Sequence, residues 1–323
     1  MYNKVNKHVG MIPSVPVAQD DICYEYAGLI RTFEYISDHD MSTVYHTFWS
    51  TSYSKQFTEN QLSTLRSFIA TQRRHKHVLY FWILEKDQHA LIHGNSLWNT
   101  TQQFHNNIIQ LKIVEENLTM NSAVSQLIEN SNDDNYIESL LRMISLYEYG
   151  GIWFDLDVLF IRDLTPLLHQ EWTTQSSCSE SSSFFTQRRY KVDNRFKGSL
   201  MHFRKHSPFL CEMLSIVQAQ MSTKSSAEMH IPNYREYLYQ LVFYRVLKHH
   251  LTPWAVLPWC FTNPSQCRKS NSLPSLFDHK KISEKNSQRL SKTFVQSYYR
   301  NWYRSPGTVF IELINQHKSI TKW

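Results

Sequence analysis

Tyr147-Glu-Tyr-Gly-Gly-Ile-Trp-Phe-Asp-Leu-Asp-Val-Leu-Phe160 (YEYGGIWFDLDVLF) places two aspartates, 155 and 157, inside an otherwise apolar run. Read as one strand, the run sends both carboxylates to the same face, because residues two apart share a side. Ile152, Phe154, Leu156, Val158 and Phe160 then point the other way. Like charges on one buried face repel each other and lose their hydration, so the pattern asks for a compensating cation. A divalent metal meets that demand.

The flanks define the context. Just upstream, Asn135-Tyr-Ile-Glu138 reads as a capping box with Asn135 as N-cap. Ile137, Leu140, Leu141, Ile144 and Tyr147 then form the buried stripe of a helix that stops at Gly150. Earlier still, Ser42–Trp49 reads as a first strand, and Asn60–Arg74 as an amphipathic helix with Leu62, Leu65, Phe68 and Ile69 inward. His77–Leu84 is a second, continuously apolar strand, as expected where both faces of a sheet are covered, and Ile108–Val114 is a third. This order predicts an open α/β sheet, with ligands gathering at the C-terminal strand ends. The domain reading is a flexible arm over 1–41, one domain over 42–317 and a tail over 318–323. Thr173–Ser183 (TTQSSCSESSS) reads as a mobile surface loop near the acidic stretch.

Composition narrows the classes. The 323 residues suffice for a full core. With only 7 glycines in the chain, the adjacent pair Gly150-Gly151 stands out. The net charge of +6 is spread without a basic block, which argues against nucleic acid as partner. No run of 18 apolar residues occurs, so no transmembrane segment is expected and the chain reads as soluble as written. Five cysteines (23, 178, 211, 260, 267) form no CxxC pair; Cys260 and Cys267 are near enough to bridge or can stay free. Sequons at Asn99 and Asn117 matter only in a secretory lumen.

Two families carry an aspartate-x-aspartate after an apolar strand. Phe154-Asp-Leu-Asp-Val-Leu159 resembles the haloacid-dehalogenase-type phosphatase motif, in which the first aspartate is a nucleophile. That motif normally opens its fold and needs a later acidic pair. Here it lies mid-chain, and Asp163, Asp193 and Asp278 stand alone. The stretch Arg142-Met-Ile-Ser-Leu-Tyr-Glu-Tyr-Gly-Gly-Ile-Trp-Phe-Asp-Leu-Asp157 more fully resembles the DXD signature of sugar-nucleotide glycosyltransferases of the α-1,4-galactosyl and α-1,4-N-acetylglucosaminyl type (family 32-like). Weaker likenesses lie in Val44–Trp49, Lys197–Leu210 and Thr293–His317.

The resemblance implies a GT-A-like fold, an open Rossmann-type mixed sheet flanked by helices. It implies a metal-dependent transferase that moves a hexose or N-acetylhexosamine from a nucleotide diphosphate sugar, UDP-sugar favoured, to an acceptor hydroxyl with retention. Acceptors of relatives are glycans, glycolipids or proteins. Mn²⁺ or Mg²⁺ would be the cofactor, since an all-oxygen site suits either. Asp157 would ligate the metal, with Asp155 on ribose or metal-bound water. Arg142 would face the donor, Gly150 and Gly151 would let backbone approach it, and Trp49 would stack on the base. Golgi lumen is the compartment of eukaryotic relatives, behind a signal anchor.

Three positions depart from the family pattern. Ser139 stands where an aspartate holds donor-sugar hydroxyls, with Glu138 beside it; Lys197 replaces an asparagine; and Gln296 aligns with a histidine that completes the metal or diphosphate site. These departures keep a second reading open, a degenerate relative that binds sugar or nucleotide without turnover.

Overall fold

A computed structural model of the chain describes residues 22–30, 42–72, 77–105, 107–118, 128, 133–175, 196–223, 234–265 and 270–321. Nine strands occur among these residues: β1 (Val44–Phe48), β2 (Val78–Ile83), β3 (Ile109–Ile113), β4 (Gly151–Phe154), β5 (Val158–Phe160), β6 (Trp172–Gln175), β7 (Phe196–Phe203), β8 (Ala255–Leu257) and β9 (Val295–Ser297). Seven form one sheet in the order β3-β2-β1-β4-β7-β6-β8, and β5 pairs with β9 in a separate antiparallel ribbon. β1 to β4 run parallel to one another, β7 is antiparallel to both β4 and β6, and β8 follows β6. β7 is thus the one reversed strand of the seven. The α/β sheet expected from the sequence is present.

The strands are apolar on both faces because both faces are covered. On β2, Leu79, Phe81 and Ile83 join one core cluster, while Trp82 and the following Leu84 join the other. β4 does the same, with Ile152 and Phe154 on one side and Trp153 on the other. The helix Asp134–Tyr149 lies over the Trp153 side, burying Ile137, Leu140, Leu141 and Ile144 there. Its N-cap is Asp133, whose carboxylate accepts from Asn135 N–H at 2.9 Å, so the cap sits two residues before the expected one.

Several expectations change. The stretch through Phe160 is not one strand. β4 ends at Phe154, residues 155–157 turn, and β5 leaves for the ribbon with β9. Alternation along a strand therefore does not present the two aspartates; a turn between two sheets does. Within the arm expected over 1–41, Ile22–Leu29 is a docked helix with Cys23, Tyr24 and Ala27 buried. Cys23 is disulfide-bonded to Cys260, so Cys260 does not pair with Cys267. Arg162 further clamps this helix by donating to the carbonyls of Ala27 (2.8 Å) and Ile30. At the other end, the helix Thr308–Thr321 runs into the expected tail. Thr173–Gln175 belong to β6, and residues 176–183 of the expected loop lie outside the described residues.

Candidate active site

Asp155 sits where the β4–β7 ladder runs out. Its N–H makes one more rung, donating to Ser199 O at 2.8 Å, before the chain turns away. The turn is then pinned from the C-terminal region. Leu156 O accepts from the Tyr298 hydroxyl (2.6 Å), the Trp302 indole (3.2 Å) and the Thr64 hydroxyl (3.3 Å). Asp157 O accepts from Tyr298 N–H at 2.7 Å, and its Oδ2 accepts from Arg300 N–H at 3.0 Å. Holding that N–H in place puts Tyr299 (φ 53°) and Arg300 (φ 56°) in the left-handed region, which costs an L-residue about 1–2 kcal/mol each. Strain of this kind persists only where surrounding contacts over-determine the backbone.

The carboxylates have different surroundings. Asp155 Oδ1 accepts from Arg142 at 2.7 Å and from the Trp153 indole at 2.9 Å. Asp157 is 5% exposed, and its Oδ1 is buried without a hydrogen-bond partner. Burial and the neighbouring Asp155 push the Asp157 carboxyl up to about 6, against the opposing pull of Lys197 and Arg300. A buried oxygen with no donor is the group a cation satisfies. Among the described residues no group of three His, Cys, Asp or Glu side chains is arranged to hold a metal ion. One or two carboxylates together with substrate phosphates are a donor set that Mg²⁺ or Mn²⁺ accepts, and the free Asp157 Oδ1 is one oxygen of that type.

Arg142 is fully buried. It donates to Glu138 Oε1 at 2.6 Å, to Asp155 and to Gly198 O, with its guanidinium 4.9 Å over the Trp153 ring. In this arrangement its contacts are to protein groups, and one of them fixes Asp155. Gly198 leaves room for it, since a Cβ there would lie 3.0 Å from Arg142 Nη1. Glu138 Oε2 takes a second arginine, Arg300, at 3.1 Å. Lys197 lies 4.3 Å over the Tyr299 ring, on the Asp157 side of the cluster. Glu138, Asp155 and Asp157 are thus met by Arg142, Lys197 and Arg300, charge for charge.

Other expected site residues lie apart. Trp49 is 1% exposed, packed edge-to-face on Phe57, so it is a core residue rather than an open platform for a base. Ser139 spends its hydroxyl on Asn135 O at 2.8 Å, and Glu138 faces the cluster instead. The glycines answer to backbone, not to a ligand. A Cβ on Gly150 (φ 69°) would meet Lys205 N at 2.5 Å, and one on Gly151 (φ 102°) would meet Val44 O at 1.9 Å. Both lie at the N-terminal end of β4, a strand's length from the aspartates. Gln296 pairs in register with Leu159, and its amide N–H donates to Pro274 O at 3.2 Å. Its Oε1 is buried and unpaired, but it bonds neither aspartate.

Arg300, Tyr298 and Trp302 escaped the sequence reading. The segment Gln296–Trp302 is weighed there only for the residue aligned with histidine, and a tyrosine-arginine pair carries no motif of its own. Its left-handed backbone is visible only in three dimensions.

Residues 86–176, under a third of the chain, match the family described as glycosyltransferase sugar-binding region containing DXD motif. The acidic turn and the helix before it fall inside that region. Among curated proteins no sequence matches this chain. Solved glycosyltransferase structures are also similar, among them the following three. One is the galactosyltransferase LgtC in complex with donor and acceptor sugar analogues (13% identity, 84% of this chain and 95% of that one, TM-score 0.41). Another is the glycosyltransferase GlyE of Streptococcus pneumoniae (9% identity, 88% and 63%, TM-score 0.43). The third is the PaToxG glycosyltransferase (10% identity, 78% and 85%, TM-score 0.37). Among the described residues no helix is long and apolar enough to cross a membrane.

Proposed function

We propose that the protein is a GT-A-like glycosyltransferase that moves a hexose or N-acetylhexosamine from a nucleotide diphosphate sugar, UDP-sugar favoured, to an acceptor hydroxyl with retention. Its acceptor would be a glycan, glycolipid or protein. The observation that carries this reading is the buried, unpaired Asp157 Oδ1 within a turn inside the DXD-type region. When bound there, Mn²⁺ or Mg²⁺ would neutralise the diphosphate as it departs. Asp157 would hold the ion, and Asp155, fixed by Arg142 and the Trp153 indole, would orient ribose or metal-bound water. Ser139 is engaged with Asn135 O, so a sugar-hydroxyl contact from this helix would fall to Glu138 Oε2 once Arg300 releases it. The clustered cations leave the pocket close to neutral before a donor arrives, so neither donor nor metal meets a strongly repulsive field.

The fully buried Arg142, whose guanidinium is spent on Glu138, Asp155 and Gly198 O, favours a second reading, a relative that binds nucleotide without turnover. Incubation with UDP- and GDP-sugars plus Mn²⁺ and an acceptor panel, read as nucleotide release, separates the two. Release that drops at least about 100-fold in Asp157→Asn, as expected when a transition-state charge stabiliser is lost, supports transfer. Nucleotide binding without release selects the second reading, and neither binding nor release sinks both.

A further inference from the structure

We infer that Arg300 is a phosphate-binding residue for the donor, held in reserve by Glu138; the inference rests on the nucleotide-sugar reading above. Two arginines meet at the acidic turn, and their environments differ. Arg142 has no exposed surface and four anchors, counting Glu138, Asp155, Gly198 O and the Trp153 ring. It is fixed. The Arg300 side chain is 43% exposed and has one ion pair, 3.1 Å to Glu138 Oε2, with a longer 3.4 Å contact to Asn135 Oδ1. Its guanidinium lies 4.4 Å over the Tyr53 ring and 5.8 Å from the Trp302 ring centroid, aromatic faces it can keep while its fork turns outward. A guanidinium fork suits bidentate phosphate recognition.

The backbone fixes where that fork operates. Arg300 N–H is bonded to Asp157 Oδ2 at 3.0 Å, so its side chain starts beside the carboxylate proposed to hold the metal. The left-handed conformation of Tyr299 and Arg300 places this N–H at Asp157, and the same turn carries the Trp302 indole back to Leu156 O. Glu138 is shared, with one oxygen on each arginine. An arriving diphosphate can therefore draw Arg300 away while Arg142 still satisfies Glu138. What separates Arg300 from Arg142 is exposure: 43% of the Arg300 side chain is open to solvent and none of Arg142 is.

The test is calorimetry of UDP with Mn²⁺ present, and of Mn²⁺ alone, on wild type, Arg300→Gln, Arg300→Lys and Glu138→Gln. Arg300→Gln is expected to weaken UDP binding about ten- to hundredfold, the loss of one charge-assisted contact, with Arg300→Lys between it and wild type. Mn²⁺ alone should bind Arg300→Gln a few-fold more tightly, because a cation beside the acidic pair has gone. Glu138→Gln should tighten UDP binding by freeing the fork, and this variant decides the matter if Arg300→Gln does not fold. Unchanged UDP affinity in folded Arg300→Gln, or weaker binding of both UDP and Mn²⁺, overturns the inference while leaving the nucleotide-sugar reading intact. Glu138→Gln binding UDP no better than wild type overturns it too. Wild type that binds no UDP removes both.

Discussion

Asp157 carries a cost that shows in stability. Its folded carboxyl titrates near 6 and its unfolded one near 3.8, so the folded state holds the extra proton between those values. Stability therefore falls as pH rises through that window, and the buried charge stays unfavourable above it, by about 2–3 kcal/mol at most. Asp157→Asn is expected to melt higher than wild type at pH 7.5 without metal, with the gap closing below pH 4. Mn²⁺ should raise the melting temperature of wild type and leave the variant unmoved. A variant that melts lower at pH 7.5, or responds to Mn²⁺ like wild type, contradicts the assignment. The sequence exposed this residue because two carboxylates in an apolar run have few structural uses. It could not show that a turn presents them, because Leu156 and Val158 are as apolar as the residues of a continuous strand and the break is made by distant Tyr298 and Trp302.

At the scale of elements, the helix Asp134–Tyr149 and β4 act as one unit. The helix supplies Glu138 and Arg142, β4 leads directly into Asp155, and the Gly150-Gly151 corner joins them. Periodicity and the glycine stop made the helix legible, and β-branched and aromatic runs did the same for β1 and β2. The purpose of the glycines was not legible, since a close approach to Val44 is made by a neighbouring strand far away in sequence. Gly151→Ala is expected to destabilise the protein by more than about 3 kcal/mol, combining a backbone clash with a positive φ, read by urea unfolding. A loss below 1 kcal/mol would show that the corner relaxes freely. Gly198→Ala is subtler. Its Cβ would press on the Tyr239 and Arg142 side chains, so donor binding should weaken more than stability, in paired calorimetry and melting experiments. Equal loss in both would mean Arg142 serves packing alone.

At the scale of the whole molecule, three of the buried histidines among the described residues shape the acid response. His46, His202 and His317 are each lowered to about 4, chiefly by burial. His46 shows the arrangement clearly: the Trp82 indole donates to its Nδ1 at 3.2 Å, so Nε2 carries the proton toward Gly150 O at 2.9 Å. A depressed histidine contributes stability that is complete above 6.5 and is lost as pH falls toward 4. Each is worth about 1.4 kcal/mol per pH unit inside that window, and Asp157 opposes one of the three below pH 6. Urea midpoints should therefore decline from pH 6.5 to 4.5; a flat or rising profile contradicts the burial. The Cys23–Cys260 bridge spans 237 residues and ties the helix Ile22–Leu29 to the body. Its reduction is expected to cost roughly 2–5 kcal/mol, seen as a lower melting temperature in dithiothreitol. No spacing rule could reveal a bridge that long, whereas the parallel strands and the acidic stretch were visible locally.

The central claim is that the acidic turn binds a nucleotide through a metal. Calorimetric titration of UDP and GDP, with and without Mn²⁺, on wild type and Asp157→Ala tests it most directly. The account predicts Mn²⁺-dependent binding to wild type, UDP preferred, that vanishes in Asp157→Ala while the fold persists. Metal-independent binding unaffected by the substitution, or no binding of either nucleotide to folded wild type, would contradict it.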